Sequence, residues 1–380
     1  MQEEKLLLIP GPTPVHPRII NRLSLPTISH VSPVFVREFK DALKNLKKIV
    51  FCEAGESFIV AGAGTLSMEM TLVNLLNQKE KALVLSQGYF GQRMKEISSA
   101  FGFECDIIQS PLGRAVQPEQ VKEQIDKQDY ALVLSTHVDT ATGACAPIKE
   151  YAQVVKNKDI LFAVDGVCAT GGIEEKMTDW GVDVILTAAQ KCFGVPPGLA
   201  VMVFSDRAMD KRKSLSFVPA YYGDLMKWLP IMKDPSKYFS TPCVNEIRAF
   251  CEGTRVMLDE TMEVRFKRHQ KTARAIRAGL ESLGFSFFTE DKYFADTITV
   301  PIYPHGVRDD EFRTKLAEKR VLFAGGLGRL KGKVFRIGHM GNISYSQIEF
   351  AMDAVEKALS EIGYEFDKGS GLKAVKQVLQ

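Results

Sequence analysis

The 380-residue chain has no C-x-x-C pair, no apolar run long enough to span a bilayer and no large net charge of either sign. Each absence removes a class of function. The seven cysteines, at 52, 105, 145, 168, 192, 243 and 251, are scattered and odd in number. That suits a reducing compartment better than a disulfide scaffold, and it offers no clustered ligands for an iron–sulfur centre. A net charge of +3 from 49 basic and 46 acidic residues is too weak to specify nucleic acid or a membrane surface. The one basic stretch, Arg265-Phe266-Lys267-Arg268-His269-Gln270-Lys271, falls in a helical pattern and reads as a solvated face. Near the N-terminus only Leu6-Leu7-Leu8-Ile9 precede Pro10, too short an apolar run for a secretory signal. The chain closes on Val378-Leu379-Gln380 rather than on a peroxisomal address. A cytoplasmic location is therefore the expectation. Internal repeats, low-complexity tracts and a helix-turn-helix region are also missing.

What is present is the make-up of an ordinary soluble globular protein, 45% apolar and 25% charged, at a length that suits two domains. From Ser57 onward short apolar runs alternate with amphipathic stretches. The runs are Phe58–Ala61, Ala82–Leu85, Ala131–Leu134, Leu161–Val164 and Val182–Leu186; helical patterns such as Gln117–Ile125 and Pro147–Val155 lie between them. Continuous apolar strands separated by amphipathic helices predict an α/β fold with a mostly parallel sheet flanked by helices. A long helical pattern over Glu263–Leu283, apolar runs near Ile298–Ile302 and Val334–Ile337, and a helix over Tyr345–Ile362 predict a smaller α+β domain. The expected division is an arm over 1–20, proline-rich and extended around Leu6–Pro14, a large domain over 21–260 and a small one over 261–380.

In a parallel sheet, ligands bind outside the carboxyl ends of the strands. Asp165 ends the run Ile160–Val164, and Lys191 follows the next run, ahead of the turn Pro196-Pro197-Gly198. An ordinary strand-end acid is a cap, and an ordinary lysine is solvated. Together they are the parts that pyridoxal 5′-phosphate (PLP) chemistry requires: an amine for a Schiff base and a carboxylate that keeps the pyridine nitrogen protonated.

Other strand ends carry further candidates, each with a plainer alternative. Ala61-Gly62-Ala63-Gly64-Thr65 turns from a strand into a helix, where free N–H groups suit a phosphate or simply a tight turn. It matches neither the dinucleotide nor the Walker pattern. In Gly88-Tyr89-Phe90-Gly91-Gln92-Arg93 the aromatic pair either stacks on a planar cofactor or packs the loop on the core. Thr140, in Thr136-His137-Val138-Asp139-Thr140, either donates to a pyridine oxygen or bonds its own backbone. Arg336, in the apolar run Val334-Phe335-Arg336-Ile337, needs an anion: a substrate carboxylate or a fixed internal ion pair.

In this order the motifs resemble those of class V aminotransferases of the PLP fold-type I superfamily, nearest to the alanine–glyoxylate and serine–pyruvate enzymes. The likeness runs from Pro10-Gly11-Pro12-Thr13-Pro14 to Arg336-Ile337-Gly338; its most specific pieces are Ala189-Gln190-Lys191 before Pro-Pro-Gly and the Val164-Asp165 strand end. The resemblance implies that Lys191 binds PLP covalently, that Asp165 pairs with the pyridinium and that Phe90 stacks on the ring. It implies that Thr140 bonds the ring oxygen, that Val167 belongs to the cofactor pocket, and that Ala63, Gly64, Thr65 and Gln190 surround the phosphate. Tyr238 and Thr241 match a segment that reaches the phosphate of a neighbouring subunit, which implies a homodimer with shared sites. Gly11 and Arg336 match groups that clamp the substrate carboxylate. The reaction implied is a ping-pong transfer of an amino group from alanine or serine to glyoxylate or pyruvate. Phe90 stands where mammalian alanine–glyoxylate enzymes carry Trp, and Asp139 and Ala141 replace the more usual Glu and Ser, so donor and acceptor are the open points.

A cysteine desulfurase shares the expected fold but needs a cysteine in the small domain, and none lies beyond Cys251. An aminotransferase for a phosphonate or phosphoserine-type substrate stays open, since it differs by cationic groups that linear sequence does not locate. A non-transaminase subunit of a soluble hydrogenase is disfavoured by the scattered cysteines, and a PLP-dependent regulator by the lack of a basic face. No metal, nucleic acid or membrane partner is expected.

Overall fold

In the computed structural model, which describes residues 5–156 and 158–380, a seven-stranded sheet forms the larger part of the molecule. After a two-residue strand β1 (Leu6–Leu7), its members are β2 (Glu56–Ala61), β3 (Lys81–Ser86), β4 (Glu104–Gln109), β5 (Leu132–Thr136), β6 (Leu161–Asp165), β7 (Val184–Ala188) and β8 (Leu199–Phe204). Their order is β2-β8-β7-β6-β5-β3-β4. Only β8 runs against its neighbours. Every residue of β5, β6, β7 and β8 is buried, because helices cover both faces, and the strands accordingly read as unbroken apolar runs. Edge strand β4 is half exposed and carries Glu104, Asp106 and Gln109.

The chain proceeds from β3 outward to β4, then jumps back across β3 to β5 and continues the other way through β6 and β7. This reversal opens a crevice at the carboxyl ends of β3 and β5, where α/β sheets bind ligands. The register aligns Thr136 with Asp165 and Asp165 with Leu186, so β5 and β6 finish level while β7 runs two residues further, to Ala188.

A second apolar core gathers around Phe335, whose ring meets Phe285, Phe312, Phe323 and Tyr303. It is built by the helices Met262–Ser282, Asp309–Glu318, Tyr345–Glu361 and Ser370–Leu379. Beside them, Phe335–Gly338 is the centre of a three-stranded antiparallel sheet with Ile298–Thr299 and Ala324–Gly325. The proline-rich N-terminal stretch is stitched to this core: β1 pairs in parallel with Val321–Leu322, and Leu8 is buried. Among the described residues no helix is long and apolar enough to cross a membrane.

The basic stretch within Met262–Ser282 is not a solvated face. Arg265 and His269 are fully buried, and only Lys267, paired with Glu263 at 2.6 Å, keeps an exposed side chain of the kind expected. Arg265 donates to the carbonyls of Gly171 (2.9 Å) and Cys192 (2.6 Å), to Glu260 (2.9 Å) and to Asn342 Oδ1 (3.3 Å). Arg268 donates to Glu260 (2.6 and 3.1 Å) and to the carbonyls of Gly341 and Ile343. Planar guanidinium forks find loop carbonyls here that a count of charges does not reveal. Burial, reinforced by Arg268, lowers Arg265 to about 10. Glu260 stays below its usual range because the two arginines outweigh its own burial.

Candidate active site

The loops that leave the carboxyl ends of β2, β3, β5, β6 and β7 enclose a cavity of about 190 Å³. On one side lies the start of the helix Gly64–Leu75, with Ala63, Gly64 and Thr65 on the wall. No side chain caps that helix, so its first N–H groups and the positive end of its dipole face the cavity. Gly64 lies against Val167: a Cβ there would stand 3.1 Å from Val167 Cγ2. Gln190 closes the same end, and its Oε1 is buried without a partner.

Asp165 and Lys191 form the floor, with Phe90, Thr140 and Val167 around them. Asp165 is 3% exposed; its carboxylate accepts from the Val167 N–H at 3.1 Å and from the Thr136 hydroxyl at 3.3 Å. Burial is the main force on it and pushes its pKa up to about 6; those two donors and the charge of Lys191 pull the other way. Lys191 is fixed from behind. Its carbonyl accepts from the Thr13 hydroxyl (2.8 Å) and the Gly194 N–H (3.0 Å), and Thr13 N–H bonds the Gln190 carbonyl at 3.1 Å. Gly11, at φ 114°, packs on the lysine side chain, where a Cβ would stand 3.1 Å from Cδ.

Arg336 stands outside the cavity lining, beside it. Its Nε donates to the Gly325 carbonyl (2.8 Å) and its Nη1 to the Thr140 carbonyl (3.1 Å). Among the described residues no carboxylate lies within ion-pair distance, so the internal ion pair considered for it is not formed. Among the described residues the Thr140 hydroxyl makes no bond with its own turn; Thr142 supplies the local hydroxyl contact instead. Tyr238 and Thr241 lie away from this chain's cavity: Tyr238 is 64% exposed, and its hydroxyl is 3.5 Å from that of Thr241.

Four wall residues were not singled out from sequence: Met68, Arg93, Val138 and Cys168. Arg93 and Cys168 each follow a recognised residue, Phe90 or Asp165, by three positions, a spacing that was the available signal. The Arg93 guanidinium lies 4.8 Å from the centre of the Phe90 ring and 5.1 Å from that of Tyr89. Thr136, which holds Asp165, carried no signal beyond being a hydroxyl at a strand end, and Thr13, which holds Lys191, lay in the Pro10–Pro14 motif with no role attached to it. Cys168 and Cys192 are buried, and burial raises their thiols to about 11 and to above the range of ordinary thiols, respectively. Among the described residues no three His, Cys, Asp or Glu side chains are grouped to hold a metal ion.

A reversed-order sheet with a lysine and a buried acid at adjacent strand ends defines a class. The profile of the class V aminotransferase family matches residues 21–329, and the chain belongs to that family. An uncharacterized aminotransferase of Methanocaldococcus jannaschii is 37% identical over 99% of this chain and 98% of its own length. A Synechococcus protein named as the small subunit of a soluble hydrogenase is 32% identical over 100% and 99%. The crystal structure of the ureidoglycine–glyoxylate aminotransferase of Bacillus subtilis superposes with a TM-score of 0.95 at 25% identity, covering 100% of this chain and 99% of that one. The fold is that of the fold-type I PLP aminotransferases, and the protein is an aminotransferase.

Proposed function

We propose that the protein is a PLP-dependent transaminase moving the amino group of a small amino acid, alanine or serine, to glyoxylate or pyruvate in two half-reactions. The observation that carries the reading is the convergence of Lys191, the buried acid Asp165 and an uncapped helix N-terminus in one cavity. These residues fit the cofactor. Asp165 is a buried carboxylate with no cation at ion-pair distance among the described residues, and Gln190 keeps an unpartnered polar atom beside the helix end. When bound, PLP supplies a sink for the electron pair left at the substrate Cα.

The chain's own groups then have separable tasks. The Asp165 carboxylate holds a proton on the pyridine nitrogen. Phe90, Val167 and Thr140 would help hold the ring, Phe90 by stacking, Val167 by apolar contact and Thr140 through its hydroxyl. Ala63, Gly64, Thr65 and Gln190 bind the phosphate, on which the helix dipole acts. Lys191 Nζ would hold the cofactor covalently, and as a free amine it would carry the proton that leaves the substrate Cα. Arg336 is held by one carbonyl at Nε and another at Nη1 and would present its remaining donors, those of Nη2 among them, to the substrate carboxylate, with Gly11 leaving room beside Lys191. Exposed Tyr238 and Thr241 reach the phosphate of a second copy in a homodimer with shared sites. Residues 21–260 make the large domain in this reading, 261–380 the small one, and 1–20 the arm.

Glyoxylate as acceptor is supported by the name of the Bacillus subtilis enzyme. One observation favours a second reading: Arg93 brings a cation to the cavity wall, which suits a phosphonate or phosphoserine-type substrate. Borohydride reduction of the purified holoenzyme, followed by peptide mapping, tests the core of the proposal. Label on Lys191 is expected, and label on another lysine overturns it. A panel of alanine, serine, phosphoserine and an aminophosphonate against glyoxylate and pyruvate separates the two substrate readings by kcat/KM.

A further inference from the structure

We propose that Asp139 is a positioning residue that locks the Phe90 loop to the Thr140 loop, so that the ring-stacking group and the ring-oxygen donor are held as one unit. The inference rests on the PLP reading of the cavity.

Asp139 is fully buried, and its two carboxylate oxygens serve different loops. Oδ2 accepts from the Phe90 N–H at 2.9 Å, across from the loop that follows β3. Oδ1 accepts from the N–H groups of Ala141 (2.9 Å) and Thr142 (3.0 Å) and from the Thr142 hydroxyl (3.3 Å), all within its own loop after β5. Four donors from two strand ends therefore converge on one side chain. The backbone on either side closes the turn, with Asp139 N–H on the Ala144 carbonyl (3.1 Å) and Gly143 N–H on the Asp139 carbonyl (2.8 Å). Gly88 makes room for the arrangement: a Cβ at that position would lie 2.6 Å from Asp139 Oδ1.

Three consequences follow for the cavity. The Phe90 backbone is pinned at the first turn of the helix Tyr89–Ala100, which fixes where its ring points. The Ala141 and Thr142 N–H groups are satisfied by the Asp139 carboxylate, so the Thr140 hydroxyl is not drawn into capping them. Arg336 Nη1 rests on the Thr140 carbonyl, so the same loop also seats the arginine. The carboxylate has no salt-bridge partner among the described residues. Three peptide N–H groups and a hydroxyl hold it in place, while burial raises its pKa.

An ordinary turn-forming aspartate would need only the Oδ1 contacts, and asparagine would replace it. The bridging role needs both oxygens, because an asparagine that keeps its oxygen on Ala141 and Thr142 turns an NH₂ donor toward the Phe90 N–H. Asp139→Asn is therefore the test, read in two ways. Hydrogen exchange of the 86–93 segment in the cofactor-free protein should speed up about tenfold at the Phe90 amide, as expected for loss of one charge-assisted bond. PLP retention of the reconstituted protein should weaken by about the same factor, with a changed visible circular-dichroism band. Gly88→Ala attacks the same link from the other side and should reproduce both changes. Unchanged exchange, or faster exchange with PLP retention and band intact, overturns the proposal. Should the unsubstituted protein fail to take up PLP, the transaminase reading falls; the exchange measurement still decides whether Asp139 bridges the loops.

Discussion

Asp165 and Arg265 are both buried charges near Lys191, yet their surroundings differ in kind. Arg265 spends its donors on two carbonyls, a carboxylate and an amide oxygen. Asp165 has one N–H and one hydroxyl, and burial drives it toward the protonated form. The first is complete within the chain; the second is left short of a cation, which the proposed cofactor would supply. A buried charge is thus informative through its unmet needs rather than through its burial.

Breaking the complete cluster should give the largest effect. Arg265→Met leaves Glu260 and the Gly171 and Cys192 carbonyls without their fork, and should cost roughly 3–5 kcal/mol in urea unfolding. A near-neutral result would mean that Arg268 alone satisfies the site. Asp165→Asn should behave in the opposite way. Cofactor-free stability should hold or rise, while turnover falls on the order of a hundred- to a thousandfold. Wild-type turnover in that variant would reduce Asp165 to a strand cap.

The pH dependence sharpens the contrast. The folded pKa of Asp165 lies near 6, above its unfolded value of 3.8, so the native state binds more protons than the unfolded state between those limits. Cofactor-free stability should therefore fall as pH rises from about 4 to about 6, by roughly 2–3 kcal/mol from this group. A pyridinium beside the carboxylate lowers its folded pKa, so the fall should vanish in the holoenzyme. Identical profiles with and without PLP would sever the link between Asp165 and the cofactor. Arg336, half satisfied by carbonyls, should give the smallest effect. Arg336→Lys should raise KM for every amino acid and oxo acid by about ten- to a hundredfold, or roughly 1.5–3 kcal/mol, with little change in melting temperature.

The same contrast explains what could be read from sequence. Strand ends advertise themselves: the segments that follow unbroken apolar runs hold Asp165, Thr140, the aromatic Phe90 and Lys191, and the cavity brings all four together. Strands β4 and β8 were not separated, the one because its exposed edge breaks the apolar run, the other because it directly follows the Pro-Pro-Gly turn. Arg265 was misread because its partners are backbone carbonyls from Gly171 and Cys192, far away in sequence and without any residue-type signature. Arg93 carries no legible role in sequence, since a helical i, i+3 neighbour of Phe90 declares its side only once the helix is placed. Asp139 registered only as a departure from a family pattern; its two-loop contacts depend on the β3–β5 pairing.

The N-terminal segment has a mechanical meaning. Leu8 is bonded on both sides to the small core, its N–H to the Leu322 carbonyl and its carbonyl to the Gly338 N–H, two residues past Arg336. Thr13 grips the carbonyls of Gln190 and Lys191. Only Ile9, Pro10, Gly11 and Pro12 lie between, and the two prolines stiffen the span. The segment is a calliper whose jaws sit at the arginine and at the lysine. In the proposed reaction every α-amino acid would present its amine and its carboxylate at the same separation, so one fixed gauge would serve any such substrate. Choice among side chains is left to walls the gauge does not touch.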